Sequence, residues 1–104
     1  MEVMEQLNKV ELKGIVGRAD ARPIGDTMIT RFSVATNYAY EGNDSPVIET
    51  TWHSCVSFNR KAAELKKGDN VHLVGRIRQQ RFMDSNGQDR VVYEILVNNL
   101  EILN

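Results

Sequence analysis

Apolar and polar residues alternate along residues 8–17, with Val10, Leu12 and Val16 on one parity and Glu11 and Lys13 on the other. A period of two sends successive side chains to opposite faces of an extended chain, so a half-buried strand is expected here. Residues 18–27 include Pro23 and Gly25 and read as a loop. Strand character returns over residues 28–38, where Phe32 and Val34 oppose Arg31 and Ser33. Gly, Asn, Asp, Ser and Pro crowd residues 41–46, a composition that favours turns. Residues 48–58, rich in β-branched and aromatic side chains, give a third strand.

Asn59 offers a helix N-cap, residues 60–67 have helix-forming composition, and Gly68 stands where a C-terminal glycine belongs. This is the one helix that the pattern predicts. Alternation resumes over residues 71–82, Asn86-Gly87 supplies a hairpin turn signal, and residues 90–103 close the chain as a strand. Three strands, a short helix and two strands is the order of the OB-fold. The expected architecture is therefore all-β: a five-stranded Greek-key barrel with one short helix between strands 3 and 4. A chain of 104 residues fits one such domain, spanning residues 1–104 with a short leader over residues 1–7.

Composition narrows the chemistry. One cysteine, Cys55, excludes an intrachain disulfide and a cysteine-based zinc cluster. Two histidines, His53 and His72, do not make a metal site or a nucleophile–base pair unaided. No metal, cofactor or catalytic residue is expected. No apolar run approaches the roughly 18 residues that cross a bilayer, and Glu2 and Glu5 are unlike the start of a signal peptide. A cytoplasmic location is the default. Thirteen basic residues against fourteen acidic ones is an unusual balance for a nucleic-acid binder. The distribution is uneven, however, since Arg76, Arg78 and Arg81 fall together in a stretch without an acid.

Several short pieces, in order, resemble the bacterial single-stranded-DNA-binding protein family. They are Asn8-Lys9-Val10, Phe32 with Ala35-Thr36, Thr51-Trp52-His53, Lys67-Gly68 with Val71 and Gly75-Arg76, and Asp84 with the run Gly87-Gln88-Asp89-Arg90. The resemblance covers residues 8–103. It implies an OB domain that assembles as a homotetramer and holds single-stranded DNA without strong sequence preference, on the bacterial nucleoid, in replication, recombination and repair. It implies neither catalysis nor a cofactor. The family's base-stacking aromatics map onto Tyr40, Trp52, Phe58 and Phe82, with Tyr40 and Phe82 standing where tryptophan is familiar. Ser54 occupies a place where enteric relatives carry a basic residue. The acidic tail through which family members recruit partners does not follow Leu103, so tail-mediated recruitment is not expected.

The residues themselves support part of this. Trp52 and Phe58 share a parity and hence a face. In an arbitrary β-domain both would be core, but Ser54 between them argues for an open surface. Arg76, Arg78 and Phe82 share a second strip, combining positive charge with a π-face. Arg31 and Lys9 are weaker candidates for phosphate contact. His53 lies opposite in parity to Trp52; it is the resemblance, not the spacing, that implies an oligomer interface at His53, Lys9 and Val10. Two alternatives remain: an accessory of the primosomal replication protein N type, which would be dimeric, and an OB barrel that serves as a protein–protein adaptor.

Overall fold

The computed structural model describes residues 5–104. Its five strands are β1 (Val10–Ile24), β2 (Thr27–Glu41), β3 (Pro46–Ser57), β4 (Asn70–Met83) and β5 (Asp89–Ile102). They close into a barrel in the order β1-β2-β3-β5-β4, with β4 returning to β1. This is the predicted OB barrel.

β1 serves two partners. Residues Val10 to Ile15 pair with β4, and Ile15 to Ile24 pair with β2. A strand that changes partners must bend, and the register shift between Val16 and Arg18 leaves Gly17 as the extra residue of a bulge. The loop expected over residues 18–27 does not exist as such. β1 runs on to Ile24, and only Gly25 and Asp26 separate it from β2. Gly25 adopts φ 58°, the positive value that a type II′ hairpin needs at its first central position. Pro23 was a misleading signal. Beyond Ile15 the other side of β1 has no β4 partner, and an edge tolerates the missing N–H.

The expected helix is also shorter than its composition suggests. Arg60–Glu64 forms a single 3₁₀ turn in which the Ala62 and Leu65 amides donate to the carbonyls of Asn59 and Ala62. Asn59 does cap it, its side chain accepting from the Lys61 amide at 2.9 Å. Tertiary demands stop propagation. Leu65 turns into the core with extended backbone, and the Gly68 amide donates to the Val16 carbonyl at 2.8 Å. So short a segment gains little from helix propagation and yields to packing.

The interior is filled by Val16, Phe32, Val34, Cys55, Val71, Leu73, Ile95, Val97 and Leu100, with Ala62 and Leu65 covering one end. The wall is uneven. β3 and β5 run parallel and pair only through Cys55↔Ile95 and Val56↔Leu96. Elsewhere the hairpins β2–β3 and β4–β5 reach beyond the barrel, exposing residues of core parity.

Candidate nucleic-acid interface

Register decides which side chains look outward. On β2–β3 the pairs Arg31↔Val56, Ser33↔Ser54 and Ala35↔Trp52 alternate with Phe32↔Cys55 and Val34↔His53. Phe32, Val34 and Cys55 are core, so Arg31, Ser33, Trp52 and Ser54 occupy the outer face. Trp52 is 60% exposed. Its indole lies across the outer surface onto β1, where a Cβ added at Gly17 would meet its Cη2 at 2.6 Å. The bulge glycine is thus the seat of the ring. Phe58, just past the end of β3, keeps the parity of Trp52 and is half exposed.

On β4–β5 the pairs Arg76↔Leu96, Arg78↔Glu94, Gln80↔Val92 and Phe82↔Arg90 share the outer face, opposite the core-facing Ile95. Arg76 is exposed, and no carboxylate pairs with it among the described residues. Phe82 is 48% exposed. The adjoining loop is organised by Asp84. One carboxylate oxygen accepts from the Asn86 and Gln88 amides at 2.9 and 3.0 Å, and the other from Arg90 Nε at 2.8 Å. The Arg90 hydrogen bond, followed by the backbone donors, holds the Asp84 carboxyl below its ordinary range. Gly87 adopts φ 77° in this loop, as the Asn-Gly signal led one to expect.

The two outer faces are joined by Glu94. This carboxylate accepts from Arg31 Nη1 at 3.0 Å and from Arg78 Nη2 at 2.6 Å. Arg31 and Arg78, read from the sequence as phosphate contacts, therefore have an intramolecular partner, and Arg78 is largely covered. Burial, and then the Glu94 charge, push the Cys55 thiol up to about 12.

The other candidates lie elsewhere. Tyr40 pairs with Val47 and has the parity of Phe32 and Val34, so it looks away from Trp52. It neighbours Tyr38, an aromatic not singled out from the sequence, with ring centroids 6.2 Å apart. Two-residue spacing was the signal that could have found it. Val10 and His53 come together in a cleft of about 380 Å³ that Ile77, Tyr93 and, from the outer face, Trp52 and Glu94 also line. His53 Nε2 is 2.8 Å from Thr36 Oγ1. Lys9 is exposed beside Asn8, whose amide group bonds both the carbonyl and the amide of Ile77, at 2.7 and 2.9 Å. Sequence reasoning missed Arg18, which lines a cleft of about 410 Å³ with Arg31, Ser54 and Tyr93. Placing it in a loop concealed its parity.

A closed five-stranded barrel with an outer face of exposed aromatics and guanidiniums defines an OB-fold protein of the oligomer-binding kind. Residues 7–103 match the single-strand binding protein family, and the chain belongs to it. It is 37% identical over 106 residues to a single-stranded DNA-binding protein of Neisseria meningitidis serogroup A, covering 93% of this chain. A mitochondrial single-stranded DNA-binding protein of Pongo abelii is 32% identical, with 93% of this chain and 75% of that protein covered. This chain spans about 60% of the length of the Neisseria relative. Among solved structures, the Plasmodium falciparum SSB in complex with ssDNA superposes with a TM-score of 0.84 at 25% identity, covering 99% of this chain and 100% of that one. The small single-stranded DNA-binding protein of Streptomyces coelicolor shares the fold, with a TM-score of 0.70 at 19% identity and 95% of each chain covered.

Proposed function

We propose that this protein binds single-stranded DNA with little regard to sequence, protecting it during replication, recombination and repair. The observation that carries the reading is Trp52. A large aromatic side chain left 60% exposed, on a glycine seat and beside a guanidinium-bearing surface, offers a flat π-face to an unpaired base. Each such stack contributes about 1–3 kcal/mol and is tolerant of base identity. Phe58 and Phe82 extend the platform on the same outer surface, Tyr40 receives the strand on the other side of the β2–β3 hairpin, and Arg76 and Lys9 meet phosphates. The relatives named as single-stranded DNA-binding proteins, and the structural neighbour in complex with ssDNA, support it.

The protein acts by binding, without catalysis or cofactor, and its setting is the cytoplasm and nucleoid. It assembles as a homotetramer through the face that carries Val10, His53 and Lys9. The cleft bringing Val10 and His53 together, lined by the exposed Ile77 and Tyr93, supports that choice. The deciding experiment is a fluorescence titration with oligo-dT. With a single tryptophan in the chain, saturable quenching reports on Trp52 alone. Saturable binding by another method with unchanged emission would remove Trp52 from the site, and no binding at moderate salt would favour an adaptor.

A further inference from the structure

Glu94 is the one acidic side chain buried among the described residues, and it lies on the outer face just described. Its two partners come from opposite directions, Arg31 from β2 and Arg78 from β4. β3 stands between β2 and β5 in the barrel, so the Arg31–Glu94 bond bridges across it. It does so beside the short parallel seam of Cys55↔Ile95 and Val56↔Leu96. Arg78 Nε is itself buried without a partner. A guanidinium can be covered in this way only because a carboxylate meets its other end.

A carboxylate on a surface that receives a polyanion needs a reason. Two guanidiniums and one carboxylate leave the bridge with a net charge of +1, and one nitrogen of each guanidinium is committed to Glu94. We infer that Glu94 sets the share of strand affinity that comes from phosphate, by holding Arg31 and Arg78 as positioning residues that brace the β3–β5 seam. Arg76, one step along the same strip, is left as the phosphate contact. This rests on the strand-binding reading of the outer face and makes it specific: stacking dominates, and charge is held in reserve.

The test is a set of oligo-dT titrations of the full chain over a salt series. The wild-type curve tests the binding reading itself, and absence of binding there would sink that reading whatever Glu94 does. Given binding, Arg76→Ala lowers the slope of log K against log salt by about 0.7, the value for one phosphate on a single strand. Arg31→Ala leaves the slope unchanged. Glu94→Gln steepens it by about 0.7 for each guanidinium released onto a phosphate, and affinity at low salt rises severalfold. A folded Glu94→Gln variant with the wild-type slope overturns the inference. So does an Arg31→Ala slope that falls as far as that of Arg76→Ala. The second comparison decides the matter if Glu94→Gln does not fold by circular dichroism, since Arg31 is 57% exposed and its loss leaves Glu94 paired with Arg78.

Discussion

The indole of Trp52 on β3 rests on the backbone of Gly17, two strands away on β1. The ring occupies the space that a side chain at Gly17 would fill. Gly17→Ala is therefore expected to lift the ring and weaken oligo-dT binding although Trp52 is still present. Trp52→Ala sets the scale, a loss of about 1–3 kcal/mol. Fluorescence anisotropy with labelled oligo-dT measures both, and wild-type affinity in Gly17→Ala would show that the seat is dispensable.

Phe82 should behave differently from Arg76 when salt is varied. Stacking releases no counterions, so Phe82→Ala lowers affinity at every salt concentration and leaves the slope near the wild-type value. Loss of binding confined to low salt would instead assign Phe82 a role in placing neighbouring charges.

The Asp84 loop predicts an acid-sensitive element. In the unfolded chain the carboxyl titrates near about 3.9, and in the fold it is lower, chiefly because of Arg90. The stabilisation is fully present above the unfolded value and is lost as pH falls through the folded one. The Asn86 and Gln88 amides should exchange far more slowly than the free peptide at neutral pH, and that protection, referred to the free-peptide rate at each pH, should fall below about pH 4. In Asp84→Asn the protection should already be reduced at neutral pH, with its acid dependence gone.

Much of this arrangement could be read from the chain. Alternation located four of the strands because one face of each is covered, β-branched and aromatic composition located β3, and the parity of Trp52 with Phe58 and of Arg76 with Phe82 carried over to the outer side of the barrel. Local signals failed where distant residues decide. Pro23 and Gly25 suggested a loop, since nothing local reveals that β1 trades β4 for β2 at Ile15. Residues 60–67 looked helical, but Leu65 and Gly68 answer to the core and to Val16. The union of Arg31, Glu94 and Arg78 was hidden for the same reason. Register across four strands, β2, β3, β5 and β4, brings them together, and no spacing within one segment encodes it.

Cys55 is a probe of integrity. It is buried at 3% exposure and its thiol is pushed up to about 12. Thiolate is the reactive form, so Ellman's reagent at pH 8 should leave the native protein unlabelled and modify one thiol per chain after denaturation. Rapid labelling of folded protein would mean that the β3–β5 wall opens readily.

Assembly should depend on the cleft that holds Val10 and His53. Sedimentation equilibrium is expected to give a tetramer at micromolar concentration, and Val10→Lys should shift it toward smaller species while Phe82→Ala, outside that cleft, does not. A dimer in the wild type would favour the primosomal accessory, and a monomer would remove the proposed interface.

The unequal ladders around the barrel have a mechanical corollary. β1, β2 and β3 form one continuous antiparallel sheet and β4–β5 a second, stitched along Val10 to Ile15 on one side and at Cys55 and Val56 on the other. Such a body resembles a book with a long spine and a single short stitch opposite. Tension pulling the two hairpins apart would load that stitch first, while the spine held. The protein would then yield by opening rather than by unravelling from an end, and it could close again along a spine that never lost its register.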